Sequence, residues 1–421
     1  MYGLDSDSIR IEGGKPLQGS VYIQGSKNAA LPLMAAALLH EGVTILHNCP
    51  PISDVRCMEA ILRHLGVVTY WEGNTLYLDA GNITSSRIEA ELGSRMRSSI
   101  ILLGALLGRK QEVTIPYPGG CVIGRRPIDF HIHALSELGI KVWEEEGMLR
   151  ARGTPKGGGR IFFPRSSVGA SQNAVLAAVL APGVTILEGC AIEPEVVWLC
   201  RILTEMGADI RGIGTSRLEI QGVTSLRDVE FTVPADRIVA GTYLCACAAT
   251  RGSIVIENPP LQEMRAILRV YKKIGGQYKV NGGTLSLCSQ EEVRPLDYVE
   301  TEIYPGFPTD MQSPLLAVLA GIPGRSHVRE TVFEDRFKVV QELQKMGACI
   351  HVDQRDAYIE GREELTGCEV NAFELRGGAA LVIAGLSAKG ETLICNRHFI
   401  ERGYANICED IEKLGGRLEK R

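Results

Sequence analysis

A hydrophobic residue followed by glycine recurs six times in this 421-residue chain, about every 70 residues, and each time at the end of a helical pattern. Glycine is favoured just after a helix because it adopts a left-handed backbone conformation without strain. A strand-like segment follows each pair. The chain is therefore predicted to contain six copies of one unit. The pairs are Leu65-Gly66, Leu138-Gly139, Met206-Gly207, Ile274-Gly275, Met346-Gly347 and Leu414-Gly415.

Each copy is also predicted to contain a short helix that is apolar on nearly every side, followed by a β-rich segment. The segment Val-Thr-Ile-Leu occurs identically at 43–46 and 184–187. A helix without a polar face must be buried all round, and so long a repeat favours closed domains over an open array. We predict an α/β protein with two domains of three units each, with buried helices inside and sheets outside. The predicted buried helices are residues 29–39, 98–107, 170–180, 240–249, 313–320 and 379–386.

Composition and charge exclude several classes of protein. A hydrophobic fraction of 45% and a charged fraction of 23% are ordinary for a soluble globular chain. The net charge of −5 argues against a general nucleic-acid binder. No apolar run approaches the roughly 20 residues of a membrane span, and the N-terminus lacks the features of a signal peptide. We expect a cytoplasmic protein that contacts no membrane.

The twelve cysteines contain no Cys-x-x-Cys pair, so a zinc site is not expected. Most of these thiols are predicted to be small buried side chains in a reducing compartment. The chain also lacks a convincing dinucleotide fingerprint, Walker A motif or Gly-x-Ser-x-Gly elbow. These absences argue weakly against dinucleotide chemistry, P-loop ATP use and serine hydrolysis.

The second copy carries an added loop with one cysteine between a glycine pair and an arginine pair. Cys121 follows Gly119-Gly120 and precedes Arg125-Arg126. Neighbouring guanidinium groups lower the pKa of a thiol and bind phosphate or carboxylate groups, and inserted loops are commonly functional. The loop is predicted to be a mobile flap with a reactive thiol over an anionic substrate. The alternative is a surface loop with an incidental cysteine.

A residue with a charged side chain precedes each predicted buried helix. Equivalent positions of a pseudo-symmetric domain lie at the same end of it, where helix N-termini bind anions. Each residue alone could be a helix cap or part of a surface ion pair, and Asp310 could be either a cap or a general base. His131 and His133 are expected to pack or hydrogen-bond locally. The six segments are Ser26-Lys27-Asn28, Arg95-Met96-Arg97, residues 165–169, Asp236-Arg237, Asp310-Met311-Gln312 and Glu374-Leu375-Arg376.

Several motifs, in the same order along the whole chain, resemble the UDP-N-acetylglucosamine 1-carboxyvinyltransferases, the enolpyruvyl transferases that open bacterial peptidoglycan synthesis. The resemblance implies two inside-out α/β domains, each a pseudo-threefold arrangement of βαβαββ units. It also implies domain limits of 27–234 and of 1–26 plus 235–421, with the active site in the cleft between them. The motifs are residues 26–31, 118–121, 124–127, 167–169, 307–312, 333–337 and 402–404.

The family reaction moves enolpyruvyl from phosphoenolpyruvate to the 3′-hydroxyl of UDP-N-acetylglucosamine and releases phosphate, by addition and then elimination. The resemblance implies that Cys121 is the general acid and that Asp310 is the base. It implies that Lys27, Arg126 and Arg402 hold phosphoenolpyruvate. The other substrate-binding residues that it implies are Asn28, Arg97, Pro127, Ile128, Asp129, Phe130, Arg165, Ser167, Val168, Gly169, Val332, Glu334, Arg336 and Arg376.

The resemblance implies no metal and no organic cofactor, and we expect a monomer that binds no nucleic acid. The chain departs from many members at Asp335, Glu374 and Phe399, where they have Asn, Asp and His. Two alternatives remain. One is the sister enzyme that acts on shikimate 3-phosphate, which typically lacks the loop cysteine. The other is a paralogue that binds UDP-sugar without turnover, against which the presence of Lys27 and Cys121 counts.

Overall fold

The computed structural model describes residues 7–94, 96–118, 124, 127–289 and 293–421. Contacts between Cα atoms separate these residues into two compact units. The first unit covers residues 25–94, 96–118 and 127–234. The second unit covers residues 7–24, 124, 235–289 and 293–421.

Apart from the single-turn α3, the helices alternate between two kinds in each unit, one buried all round and one amphipathic. In chain order they are α1 Lys27–Ala36, α2 Ser53–His64, α3 Ala90–Gly93, α4 Leu102–Leu107, α5 Asp129–Glu137, α6 Val168–Ala178, α7 Pro194–Glu205, α8 Arg237–Ala249, α9 Arg265–Lys273, α10 Gln312–Ala320, α11 Val339–Lys345, α12 Leu375–Ser387 and α13 Ile407–Lys413. Short 3₁₀ helices cover Ala37–Leu39, Arg97–Ile101, Thr309–Met311 and Arg397–Arg402.

The strands form six sheets, three in each unit. In chain order they are β1 Ser8–Glu12, β2 Gln18–Tyr22, β3 Val43–His47, β4 Val68–Glu72, β5 Thr75–Asp79, β6 Glu112–Pro116, β7 Lys141–Glu145, β8 Met148–Arg152, β9 Arg160–Phe162, β10 Val184–Glu188, β11 Asp209–Arg211, β12 Arg217–Gln221, β13 Val229–Thr232, β14 Ser253–Glu257, β15 Gln277–Asn281, β16 Thr284–Cys288, β17 Val299–Glu300, β18 Gly324–Arg329, β19 Cys349–Asp353, β20 Asp356–Gly361, β21 Glu369–Asn371, β22 Glu391–Cys395 and β23 Arg417–Lys420.

One topology repeats in the sheets: a parallel edge strand, a central strand and two further antiparallel strands, which form a hairpin in every sheet but the last. The orders in the first unit are β13-β3-β5-β4, β6-β8-β7 and β9-β10-β12-β11, and those in the second are β2-β14-β16-β15, β17-β18-β20-β19 and β21-β22-β1-β23. In the three-stranded sheet, a single parallel bridge between Arg87 and Thr114 stands where the others have an edge strand. The α/β class and the repeated unit predicted from the sequence are confirmed.

The chain termini close the last sheet of the second unit. Strand β1 lies between β22 and β23 and is antiparallel to both, with Ile9 opposite Ile394 and Lys420. Strand β2 pairs in parallel with β14. The first residues of the chain therefore complete sheets whose other strands come from its second half.

The predicted buried helices are present and are packed on every side. All six residues of α4 are buried, and the 3₁₀ helix Arg97–Ile101 precedes it, so the predicted segment 98–107 is not α-helical throughout. Every residue of α12 except its last, Ser387, is buried. The strands around these helices alternate between buried and more exposed side chains, as in β5 and β14. Each sheet thus covers the helices with one face and meets solvent with the other.

The glycines after the amphipathic helices have the conformation that the sequence predicted. Their φ angles lie between +79° and +106°. Each helix ends in two backbone hydrogen bonds, one nested inside the other. After α2, Gly66 N donates to Arg63 O and Val67 N donates to Leu62 O. Such an end satisfies carbonyl groups that the helix leaves without partners. The same pair of bonds follows the other five amphipathic helices, α5, α7, α9, α11 and α13.

Two of these glycines differ in what surrounds them, which gives a matched pair of substitutions in the first unit. Both have a φ of +106°, but a Cβ on Gly66 would lie 2.6 Å from Asn82 O, whereas nothing lies within 4 Å of one on Gly207. We expect Gly207→Ala to lower the free energy of unfolding by about 1 kcal/mol, from backbone strain alone. Gly66→Ala should cost clearly more, because backbone atoms cannot move aside. Urea unfolding of both variants measures the difference, and equal costs would contradict it.

Candidate functional site

The charged residues that precede the buried helices of the second unit divide into helix caps and one carboxylate held by arginines. Asp236 caps α8 by accepting from Ile238 N at 2.8 Å and Val239 N at 3.1 Å. Glu374 caps α12 by accepting from Arg376 N at 2.8 Å and from Gly377 N. Asp310 lies in the 3₁₀ turn before α10, and its side chain does not cap that turn. The side chain instead contacts two guanidinium groups.

Asp310 is oriented by Arg336 and Arg376. Arg376 Nη2 donates to Asp310 Oδ2 at 3.0 Å, and Arg336 Nη2 donates to Asp310 Oδ1. Both arginine side chains are 3% exposed, whereas that of Asp310 is 26% exposed. Charge-assisted bonds of this kind fix a carboxylate in position. Asp310 is thus held on one side by buried cations and remains accessible on another.

Arg376 is anchored by a chain of hydroxyl groups that leads to α8. Its Nη1 donates to Tyr404 Oη at 3.4 Å, and Tyr404 Oη lies 2.7 Å from Thr242 Oγ1. Thr242 Oγ1 donates to Ile238 O, so the phenol supplies the proton between the two hydroxyls. Burial lowers the pKa of the Arg376 guanidinium, but the nearby Asp310, Tyr404 and Asp236 outweigh burial and raise it overall. Arg376 therefore stays charged although it is buried.

Glu330 joins the segment before Asp310 to the loop that contains Val332. It is fully buried. Its Oε1 accepts from Val332 N at 2.8 Å and Phe333 N at 3.0 Å, and its Oε2 accepts from Thr309 Oγ1 at 2.9 Å. Two predicted site segments are thereby fixed to one carboxylate. The sequence offered no signal for Glu330, because its partners in the two segments share no motif with it.

Arg402 ends the 3₁₀ helix Arg397–Arg402, and its neighbours are clamped by an amide that sequence reasoning missed. Gln24 Nε2 donates to Gly403 O at 3.1 Å, and Gln24 Oε1 accepts from Ala405 N at 2.9 Å. The Gly403 backbone packs so closely on Leu375 that a Cβ would lie 2.7 Å from its Cδ2. These contacts fix the backbone on which Arg402 stands.

In the first unit, Lys27 begins α1 and is paired with an acid from α2. Ser26 caps the helix by accepting from Ala29 N at 3.3 Å. Lys27 Nζ donates to Asp54 Oδ2 at 3.1 Å, and both side chains are largely buried. Asn28 follows in the same turn. Asp54 was not singled out from the sequence, since an acidic residue in the first turn of a helix is common.

The structure brings together two segments that the resemblance assigned to the UDP-sugar. Asp129 and Phe130 begin α5, and Ser167 caps α6 by accepting from Ala170 N at 3.5 Å. The starts of the two helices touch, because a Cβ on Gly169 would lie 3.0 Å from His131 Cε1. Pro127 and Ile128 lead into α5, and Arg165 and Val168 flank the cap of α6.

His131 packs locally, as expected. Its Nδ1 lies 2.9 Å from Asn173 Nδ2, and Asn173 Oδ1 accepts from Gly104 N at 2.6 Å. With its carbonyl oxygen used in this way, Asn173 presents a donor to His131, so the neutral ring carries its proton on Nε2. Asn173 was missed, although a polar residue in an otherwise apolar helix is a signal that could have identified it.

Some predicted residues lie apart from these clusters. Glu334 accepts from Arg355 Nη2 at 3.4 Å and is not bonded to Arg336 or Arg376. Arg97 begins the 3₁₀ helix before α4. Cys121 and Arg126 lie outside the described residues.

The three departures from the family pattern have different surroundings. Asp335 is exposed, and Phe399 packs against the core. Glu374 lies 3.8 Å from Arg336 and also caps α12.

Burial makes several of the described cysteines poor nucleophiles. It raises the pKa of Cys49 and Cys200 to about 12 and that of Cys190, Cys247 and Cys408 to about 11. A thiol must ionise to react, so these side chains are inert near neutral pH.

Across the described part of the chain, no group of three or more His, Cys, Asp and Glu side chains could hold a metal ion. None of the helices described is long and apolar enough to span a membrane.

Comparison with known proteins gives a match over nearly the whole chain. Residues 11–411 match the family model of EPSP synthase (3-phosphoshikimate 1-carboxyvinyltransferase). The UDP-N-acetylglucosamine 1-carboxyvinyltransferase 2 of Caldanaerobacter subterraneus subsp. tengcongensis is 42% identical over 97% of this chain and 98% of its own. The UDP-N-acetylglucosamine 1-carboxyvinyltransferase of Chlorobium limicola is 41% identical over 98% of both chains. The chain belongs to the UDP-N-acetylglucosamine 1-carboxyvinyltransferase family.

Solved structures agree with this family on the fold. The enolpyruvyl transferase NikO from Streptomyces tendae superposes with a TM-score of 0.87 and 24% identity over 98% of both chains. EPSP synthase from Acinetobacter baumannii superposes with a TM-score of 0.75 and 18% identity over 98% of this chain and 99% of its own. At such identities the likeness concerns the fold alone. The membership of the UDP-N-acetylglucosamine 1-carboxyvinyltransferase family that the motifs indicated is confirmed.

The role of Glu330 is testable by removing its charge. Glu330→Gln replaces one acceptor oxygen by an NH₂ group, which leaves a backbone N–H or the Thr309 hydroxyl without its acceptor. We expect the free energy of unfolding to fall by about 2 kcal/mol or more. Glu334→Gln, an exposed carboxylate four residues away, serves as the control and should change it by less than about 0.5 kcal/mol. If the two variants unfold at the same urea concentration, Glu330 does not hold the site segments together.

Proposed function

We propose that this chain transfers the enolpyruvyl group of phosphoenolpyruvate to the 3′-hydroxyl of UDP-N-acetylglucosamine and releases phosphate. The observation that carries the proposal is the similarity of about 40% identity, over nearly the full length, to relatives named for this reaction. The half-buried Asp310 held by buried arginines supports it, because this reaction needs a carboxylate placed at a sugar hydroxyl.

The reaction is an addition followed by an elimination. In the addition, Cys121 gives a proton to the methylene carbon C3 of phosphoenolpyruvate, and the sugar oxygen attacks C2 while Asp310 takes its proton. In the elimination, phosphate leaves from C2 and takes up the proton held by Asp310, while C3 returns a proton to the Cys121 thiolate, which restores the double bond on the new ether and both side chains. Each step keeps its atoms and charges balanced without a metal or an organic cofactor. Holding both substrates in position supplies much of the rate.

The roles of the cations follow from the charges of phosphoenolpyruvate. Lys27, Arg126 and Arg402 would bind its phosphate and carboxylate groups and stabilise the anionic intermediate. Lys27 is supported in this role by Asp54, whose bond at 3.1 Å orients the amine. Arg402 is supported by the Gln24 clamp on the turn that follows it. Both cations therefore stand on backbone that neighbouring side chains fix.

The UDP-sugar would lie against the starts of α5 and α6, where backbone N–H groups are available to phosphate oxygens. The two helix starts meet there where Gly169 lies against His131, the residue that follows the segment Pro127–Phe130. Asn28, Arg97, Arg165, Val332, Glu334, Arg336 and Arg376 complete the residues that we assign to substrate binding. Arg336 and Arg376 would contribute indirectly, because each orients the carboxylate of Asp310. We expect a cytoplasmic monomer.

The alternative acceptor is shikimate 3-phosphate, because the matching family model is named for that activity. Relatives at about 40% identity named for UDP-N-acetylglucosamine favour the sugar nucleotide. The cysteine in the loop after β6 favours it as well, since the shikimate enzymes typically lack one there. A paralogue that binds UDP-sugar without turnover would not need Lys27, Cys121, Asp310 and Arg402, all of which are present.

The choice of acceptor is tested by phosphate release. Purified protein with phosphoenolpyruvate should release phosphate when UDP-N-acetylglucosamine is added and should not when shikimate 3-phosphate is added. Cys121→Ala should reduce the release at least about 100-fold, because the general acid is lost. Release with shikimate 3-phosphate alone would favour the sister activity, and no release with either acceptor would favour the paralogue without turnover.

The role of Asp310 is tested by Asp310→Asn. The amide keeps the shape of the side chain but is not basic, so we expect kcat to fall about 100-fold or more while KM for both substrates changes little. Asp335→Asn, an exposed carboxylate of the neighbouring motif, is the matched control and should leave both parameters near those of the parent. A rise in KM with unchanged kcat would make Asp310 a binding or structural residue instead.

A further inference from the structure

The amphipathic helix of the fourth copy differs in charge from its five counterparts. Helix α9 carries Arg265, Arg269, Lys272 and Lys273 and no acidic residue. Helices α2, α5, α7, α11 and α13 occupy the equivalent place, and each contains Asp or Glu. Because the six copies share one topology, they serve as internal comparisons for one another. The charge of α9 is therefore not a consequence of the fold.

The edge strand next to α9 is exceptional in the same way. Strand β15 ends its sheet and pairs on one side only, with β16. Its sequence, Gln-Tyr-Lys-Val-Asn, contains no acidic residue. The corresponding edge strands β4, β7, β11, β19 and β23 each contain at least one Asp or Glu. Charged side chains on an edge strand discourage pairing with another chain, and β15 has only Lys279.

A groove of about 420 Å³ lies between α9 and β15. Arg265, Arg269 and Lys272 form its helix side, and Tyr278 and Val280 form its strand side. Lys272 Nζ lies 4.6 Å from the centre of the Tyr278 ring. Val280 is 48% exposed. The groove thus combines cations with an apolar strip.

Among the described residues, none neutralises the three cations of the groove. Within the described residues, no carboxylate oxygen lies within 4 Å of Arg265, Arg269 or Lys272, although ion pairs of this kind occur widely over the rest of the surface. The chain as a whole has a net charge of −5. A concentrated positive groove on an acidic protein favours an acidic partner and speeds its approach.

We propose that this groove binds an acidic, extended segment of a partner protein, which pairs with the open edge of β15. Added strands bind through backbone hydrogen bonds, and their alternate side chains supply specificity. Tyr278 and Val280 point to the same face of β15, because side chains two residues apart in a strand share a face. Apolar side chains of the segment would pack on these two residues, and its carboxylates would meet the cations of α9. None of these residues belongs to the proposed catalytic site.

The test uses the full chain and a synthetic fluorescein-labelled peptide of four Glu-Val repeats, with binding followed by fluorescence anisotropy at low salt. The groove variant Arg265→Glu/Arg269→Glu/Lys272→Glu should weaken binding by at least about tenfold. The matched control Arg63→Glu/Lys141→Glu/Arg325→Glu reverses three exposed charges outside the groove and should change it less than about twofold. Val280→Glu, on the strand side, should also weaken binding. Unchanged circular dichroism and phosphate release establish that each variant is folded.

Peptide chemistry then separates strand pairing from simple attraction between charges. The same peptide with N-methyl groups on alternate amides cannot complete a strand, so it should bind at least about tenfold more weakly. Equal binding of the methylated peptide would overturn the proposal, as would equal weakening in the groove variant and the scattered control.

Other occupants are outcomes of the same experiment. Tripolyphosphate or vesicles containing 30% phosphatidylglycerol could bind more tightly than the peptide and depend on the same three cations. That result would replace the protein segment by a phosphate-bearing ligand. A change in molar mass between parent and groove variant, measured by light scattering without peptide, would show that a second copy of this chain occupies the groove.

Discussion

The fold depends on the burial of helices that have no polar face. Helices such as α4 and α12 cannot meet water on any side, so each must be surrounded by other helices and by the inner faces of sheets. A single copy of the repeated unit cannot enclose such a helix. Three copies can, and each unit has three sheets around its buried helices. The same requirement leaves only helix ends as places where polar groups can be concentrated.

Cations at such ends are stabilised by carboxylates rather than by water. Arg336 and Arg376 are almost fully buried, and a buried guanidinium without a partner would be strongly destabilising. Asp310 pairs with both arginines, Glu374 lies 3.8 Å from Arg336, and Tyr404 accepts a further hydrogen bond from Arg376. The position of the Asp310 carboxylate is thus set by its ion pairs with two buried arginines. A proposed catalytic base held in this way needs little reorganisation before it acts.

Features of the fold that depend on local sequence pattern were predicted correctly from the sequence. The glycines after the amphipathic helices were found because only a left-handed residue fits there, and the buried helices were found because their lack of polar residues is visible over ten positions. Helix limits were less accurate: the start of the fourth helix is a 3₁₀ segment, which has the same apolar pattern as an α-helix. The UDP-N-acetylglucosamine 1-carboxyvinyltransferase family was recognised from short motifs in a fixed order, and its membership did not depend on these limits.

Contacts between distant segments were not accessible in the same way. Asp54 looked like an ordinary first-turn acid until the fold placed it beside Lys27. Glu330 and Gln24 each hold a site segment through backbone groups, and such bonds require no particular residue type in the segment that they hold. By contrast, Arg376 was singled out by position alone, because it precedes a buried helix as Lys27 does.

The place of β1 in the last sheet affects how the chain is made. Strand β1 is synthesised long before its two neighbours β22 and β23. Its Ile9 and Ile11 are fully enclosed in the finished molecule. During synthesis these two apolar side chains therefore lack their final neighbours until β22 and β23 have been made. The first unit has all its residues available well before that, so the two units become foldable at different times.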